Sequence, residues 1–162
     1  MTVTEWPEPV QRVSAVLRAA AVDARLEEFG DGTPTARGAA KAIGCDLSQI
    51  VKSLVFVGDG AYVLALVPGD RRADEAAIAA AVGAREIRIA KPDEVMQATG
   101  FEPGAVAPFP QRAVARAVME RELLRHEIVW IGAGSTSHMA GLPPAELQRL
   151  AGAALGDVAG PG

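Results

Sequence analysis

Apolar residues stand at Val10, Val13, Val16 and Leu17 with polar residues between them, the spacing of a helix with one buried stripe. The pattern predicts a leading helix over 9–22, with Pro7 and Pro9 marking its start. Alternation over 25–29 suits a short strand. Residues 30–34, rich in glycine and ending in proline, read as a turn, and Thr35 is placed to cap a helix over 36–43 that stops at Gly44. Two runs rich in branched residues, 50–57 and 61–67, flank Gly58, Asp59 and Gly60 and predict a tight antiparallel hairpin. Residues 68–72 end that hairpin. An alanine-rich helix follows over 74–82, acidic at its start and closed by Gly83.

The second half continues in the same manner. Residues 85–89 alternate as a strand, and 92–98 form a helix opened by Pro92 and two acids. A loop with two glycines and two prolines then runs over 99–109. Strands are expected at 113–118 and 127–131, with a short helix at 120–125 between them. A small polar stretch over 132–138 leads to a final helix at 143–151, begun by two prolines and ended by Gly152. The tail, 156–162, is expected to be frayed. Strands interleaved with helices and partly joined by a hairpin describe an α+β, mixed-sheet domain rather than a parallel doubly wound one.

With 162 residues, 49% of them apolar, the chain can bury the core of one domain without covalent staples. Its single cysteine, Cys45, excludes an internal disulfide and a CxxC metal or redox motif, which favours a reducing compartment and a cytoplasmic location. Neither a basic stretch leading into an apolar signal core nor a membrane-length apolar run is visible, so no membrane is expected as a partner. A net charge of −4 argues against a general DNA or RNA coat. Gripping only the end of an RNA needs few cations, and Arg37, Lys41, Arg71, Arg72, Arg112 and Arg116 could supply them or be ordinary solvated charges.

Two features carry candidate chemistry. Lys52 interrupts the apolar strand Ile50-Val51-Lys52-Ser53-Leu54-Val55-Phe56, and burying an ammonium costs several kcal/mol unless a neighbour offsets it. Either it serves a site, or its methylenes pack while the amine reaches solvent. The loop over 99–109 has the composition that lets bare backbone amides approach a ligand, or is a plain connector. Ser53 neighbours the lysine and should point to the opposite face of the strand. His138 follows Ser135 and Ser137 without a nucleophile elbow, so both a pocket position and simple packing stay open. His126 reads as solvated and Cys45 as a small apolar filler. Two histidines without clustered acids or thiols offer no metal site, and no cofactor is expected.

The order of these pieces resembles the YbaK and ProX-like proteins, related to the editing domain inserted in bacterial prolyl-tRNA synthetases. The matching pieces are Thr35-Ala36-Arg37-Gly38-Ala39-Ala40-Lys41-Ala42-Ile43-Gly44, the Lys52 strand, the glycine and proline loop, and Val129-Trp130-Ile131-Gly132-Ala133-Gly134. They divide the chain into a leading helix (1–24), a YbaK-like deacylase domain (25–155) and the tail (156–162). The resemblance implies a mixed, partly barrel-like β-sheet flanked by helices, and hydrolysis of the ester joining a wrong amino acid to the terminal adenosine of a tRNA.

On this resemblance Lys52 and Gly104 inherit the catalytic positions. Ser53, Ala105, Val106, Pro108, Gly134 and His138 are the expected substrate-binding residues. The implied partners are a tRNA acceptor end carrying an amino acid and, beyond it, a tRNA synthetase, with no DNA. The chain departs from the family pattern at Ala107, where a small polar residue is common, and at Pro110, where glycine is often found. Both departures bear on the amino acid accepted more than on the reaction. The expected function is a trans-acting deacylase of a mischarged small amino acid. Its alternative is a non-catalytic module binding aminoacyl-tRNA, a synthetase or an amino-acid-like ligand, because a scaffold can keep its pocket and lose its chemistry.

Overall fold

The computed structural model describes residues 5–30 and 35–162. Most of the predicted turn at 30–34 therefore lies outside the described residues. Among those described, the order is α1 (Glu8–Ala19), β1 (Arg25–Glu28), α2 (Ala36–Ile43), β2 (Val51–Gly58), β3 (Ala61–Pro68), β4 (Arg71–Ala73), α3 (Glu75–Val82), β5 (Ile87–Ile89), α4 (Pro92–Thr99), β6 (Val114–Glu120), β7 (Val129–Gly132), β8 (His138–Leu142), α5 (Pro144–Ala151), β9 (Ala153–Gly156) and β10 (Ala159–Pro161). Short 3-10 turns at Leu47–Gln49 and Arg121–Arg125 join α2 to β2 and β6 to β7.

Local chemistry sets several of these boundaries. The Thr35 hydroxyl accepts the amide of Gly38 at 3.0 Å and caps α2, and the Asp74 carboxylate does the same for α3 through the amide of Ala77 at 3.0 Å. The β2–β3 hairpin turns through Asp59 and Gly60, both at positive φ (51° and 80°), the two-residue geometry that suits the twist of the strands. Asp59 steadies the turn by accepting the amides of Arg85 and Glu86 at 2.9 and 3.0 Å.

Five strands form the main sheet in the order β5-β2-β3-β6-β9, with β5, β2 and β3 antiparallel and β3, β6 and β9 parallel. The sheet is buried on both faces, which is why β3 reads as an almost unbroken apolar run. Leu64 and Leu66 face one cluster, with Val13 and Leu17 of α1, Ile131 and Leu142 of the second sheet, and Leu147 of α5. Val63, Ala65 and Val67 face another, with Ile78 of α3 and Val158. The leading helix thus shares the main core.

The mixed α+β sheet flanked by helices is as expected, and three details differ. The partly barrel-like sheet is open among the described residues: β5 and β9 end it, and its link to the antiparallel sheet β1-β8-β7 is one parallel bridge between Ile50 and Trp130. The polar stretch before the last helix ends in a strand, β8, whose five residues are all buried. The tail is not frayed, because β10 pairs with β4 and Val158 is 1% exposed. Small residues and prolines hid that pairing in the sequence, since the order comes from a partner strand and not from the tail's own propensity.

Candidate functional site

At the first half of β2 the sheet runs out of partners. Gly69 donates to the carbonyl of Ile50 (2.7 Å) and Ala90 to that of Val55 (2.9 Å), so even-numbered residues bond to β3 while Val51, Ser53 and Val55 turn their amide groups to the other side. On that side β5 covers only residues 56–58. The N–H and C=O of Ser53 therefore point to an edge with no strand opposite among the described residues.

A cavity of about 250 Å³ fills this edge. Residues 50–54 form one wall, and Thr35, Ala36 and Ala39 at the start of α2 form a second. Gly104 and Val106 of the loop, Gly132 of β7 and Met139 of β8 complete it. Drug-sized ligands occupy roughly 300–1,000 Å³, so this cavity suits a small group attached to something larger outside. Among the described residues lining it, Lys52 is the one with an ionisable side chain.

Lys52 is half-buried, and its ammonium donates to the carbonyl of Arg71 in β4. Burial pushes its pKa below the ordinary lysine value; the Asp70 charge opposes that shift and the Arg72 charge adds to it. One carbonyl occupies one of three N–H donors, which leaves two for a ligand. Lys52 stands opposite Val67 and Ser53 opposite Leu66, two residues of different apolar clusters, so the two side chains do leave β2 on opposite faces. The Ser53 hydroxyl is buried without a hydrogen-bond partner among the described residues.

The loop is anchored by Phe101, Ala107 and Phe109, all buried in the main core, with the side-chain amide of Gln111 donating to the Ala107 carbonyl at 2.7 Å. The Phe109–Pro110 peptide is cis. At the tip, Gly104 adopts φ 85°, a left-handed conformation that strains other residues, and a Cβ built on it would meet nothing within 4 Å. Gly132 has a different constraint: its Cβ would stand 2.9 Å from the Val106 carbonyl oxygen, so only glycine lets loop and strand approach this closely.

Of the eight residues expected at the site, Lys52, Ser53, Gly104 and Val106 line this cavity and four do not. Ala105 and Pro108 are buried, turned into the protein by the anchoring of the loop. Gly134 packs on the leading helix, where a Cβ would lie 2.8 Å from the carbonyl of Pro9. His138 is 1% exposed and faces away: its Nδ1 lies 2.6 Å from Ser135 Oγ, its Nε2 3.4 Å from a Glu28 carboxylate oxygen, and its ring meets Trp6 edge-on. Alternation along β8 gives the cavity position to Met139 instead. Among the candidate cations, Arg71 is engaged with Glu122 at 2.9 Å and with the tail, whereas Arg37 and Lys41 are exposed on α2. Sequence reasoning missed the α2 wall, Gly132 and Met139. Segments 35–44 and 129–134 had marked two of these regions, without assigning their residues to a site.

Comparison with known proteins bears on this arrangement. The model of the aminoacyl-tRNA editing domain matches residues 31–150. YwhH of Bacillus subtilis (strain 168), an uncharacterised protein, is 34% identical over 126 residues, spanning 77% of this chain and 80% of that one. A proline–tRNA ligase of Xanthomonas oryzae pv. oryzae (strain MAFF 311018) is 30% identical over 145 residues, 87% of this chain but 26% of the ligase, so the similarity spans about a quarter of that enzyme. A solved structure described as a candidate trans-editing enzyme for prolyl tRNA synthetase superposes with a TM-score of 0.89 at 34% identity, over 96% of this chain and 99% of that one. With the family model covering most of its length, the chain belongs to the aminoacyl-tRNA editing domain family.

Proposed function

We propose that the protein is a trans-acting deacylase that hydrolyses the ester of a mischarged small amino acid on tRNA. What supports this reading is that Lys52, Ser53, whose amide groups face a sheet edge without a described partner strand, and Gly104 of the loop tip all line one small, mostly apolar cavity. Water adding to an ester carbonyl makes an oxyanion, and a cation with preorganised N–H donors in a partly dry cavity stabilises it. The acyl C–O bond to the ribose then breaks, releasing the amino acid and a free tRNA hydroxyl. Arg37 and Lys41, exposed on the helix that walls the cavity, are suited to the phosphates of the acceptor end. Cavity size favours a small amino acid.

Action in trans is supported by the likeness to the candidate trans-editing enzyme over nearly the whole of both chains. Among the described residues no helix is long and apolar enough to cross a membrane. A cytoplasmic protein meeting the tRNA pool, with a tRNA synthetase as a second partner, fits the reading. The test is a panel of tRNAs charged with wrong small amino acids, incubated with the protein and followed by loss of the labelled amino acid. Hydrolysis of at least one above the uncatalysed rate is expected; saturable binding with no turnover on any of them would replace the enzyme by a binding module.

A further inference from the structure

The Lys52 ammonium is held by a carbonyl whose own position depends on the far end of the chain. That carbonyl belongs to Arg71, in a strand of three residues whose one ladder partner among the described residues is β10, with Arg71 opposite Pro161 and Ala73 opposite Ala159. Arg71 also grips β10 with its side chain, bonding to the carbonyl of Gly160 at 3.1 Å and to that of Ala159, while its other nitrogen pairs with Glu122 at 2.9 Å.

A second clamp is the carboxylate of Glu120, a residue 2% exposed at the end of β6. One of its oxygens accepts the amides of Val158 and Ala159, both at 3.0 Å, and the other accepts the amide of Glu122 at 3.0 Å. A buried carboxylate is retained when backbone donors satisfy it, and here two of its three donors belong to the tail. Val158, between the clamps, accepts the Asp74 amide on its carbonyl at 2.9 Å and places its side chain in the cluster containing Val67, the residue opposite Lys52.

We propose that β10 with its two clamps, Glu120 and the Arg71 guanidinium, is a positioning element for the cavity, fixing the carbonyl that orients the Lys52 ammonium toward substrate. The proposal rests on the deacylase reading for the role of Lys52, and on the contacts above for the device itself. Glu120 and Arg71 are positioning residues: neither lines the cavity.

The experiment compares wild type with Arg71→Met, which keeps the carbonyl and removes the grip on the tail, with Arg71→Lys, which restores a cation, and with a deletion of residues 158–162. Titration of the Lys52 side chain by NMR reports its surroundings without reference to activity. Multiple-turnover deacylation of the best substrate from the panel supplies kcat and KM. In Arg71→Met the Lys52 midpoint is expected to leave its wild-type value, because the carbonyl contact that favours the charged amine and the burial that disfavours it both change. The kcat should fall by about 10–100-fold with KM within twofold, as for a displaced catalytic group, and Arg71→Lys should recover most of the loss. An unchanged Lys52 titration in Arg71→Met would overturn the proposal whatever the kinetics. If the deletion fails to fold, Arg71→Met decides alone, since it removes no apolar core side chain. If wild type hydrolyses no substrate, the deacylase reading fails while the titration still decides whether the tail positions the amine.

Discussion

Replacing Lys52 by methionine keeps the stem that crosses the face of β2 and removes only the charge. Two opposite effects follow. The Arg71 carbonyl loses its donor, at a cost of about 1 kcal/mol, and the burden of holding a half-buried ammonium out of water disappears. Folding stability near pH 7 should thus stay within about 1 kcal/mol of wild type. Turnover should not. Loss of one preorganised oxyanion donor costs roughly 10²–10³ in kcat, and Lys52 is open to solvent on one side, which screens its field; the lower end, about 100-fold, is expected.

The pH dependence of the same variant supplies an independent check. Burial lowers the Lys52 pKa, so between the folded value and 10.5 the folded protein binds fewer protons than the unfolded chain. Wild-type stability must then rise with pH across that window, and methionine lacks this contribution. Single-turnover deacylation and urea unfolding at several pH values measure both effects. A folded Lys52→Met variant that hydrolyses every wild-type substrate within twofold of the wild-type rate would refute the assignment of charge stabilisation to this amine.

Gly132→Ala should push the Val106 carbonyl back and disturb the cavity wall, lowering kcat/KM by about tenfold while the fold survives; unchanged kinetics would show that the loop position is immaterial. Gly104→Ala meets no neighbour but places a Cβ at φ 85°, a strain of about 1–2 kcal/mol, so Gly104→Asn, which tolerates that conformation, should keep more activity than alanine. Val158→Ala should cost about 2 kcal/mol in urea unfolding, whereas a frayed tail would cost nothing. Burial lowers the His138 pKa against the pull of Glu28, so the folded state resists protonation and stability should fall as pH drops from 6.5 through the folded value; His138→Gln should lack that slope, and parallel curves would count against the assignment. A substrate tRNA ending in 2′-deoxyadenosine should react more slowly than its ribose counterpart, measured at saturating enzyme, because the cavity wall offers no obvious general base among the described residues.

Where an element is fixed by its own residues, the sequence revealed it. Thr35 and Gly44 bracket α2, Asp59 and Gly60 turn the hairpin, and Asp74 and Gly83 bracket α3, because caps and turns are satisfied by atoms a few residues away. Elements that borrow their order from a distant partner were hidden. Strand β8 consists of His138, Met139, Ala140, Gly141 and Leu142, a poor β sequence made regular by β1 and β7 on either side, and β10 exists only against β4. The site divides in the same way. Lys52 was visible as a charge in an apolar run and Gly104 as a turn residue, but Met139 entered the cavity through the register of β8, and Gly132 matters through a contact with a loop 26 residues earlier in the chain.

The composition of the cavity constrains how a hydrolase could work here. Its described lining holds one cation, two hydroxyl residues and otherwise apolar side chains and glycine, with no carboxylate or imidazole. Among these described residues none is placed for proton transfer by a tuned side chain, worth typically 10²–10⁴ in rate, so on the deacylase reading acceleration is expected from holding the ester and stabilising its oxyanion. Such stabilisation is sensitive to distance, because it depends on dipoles fixed before the charge appears. That requirement explains a site made largely of backbone: the open edge of β2, a loop tip stiffened by three buried anchors, and a glycine that lets strand and loop touch. It also explains why a flexible lysine would be of little use there unless its amine were held, as it is by the Arg71 carbonyl.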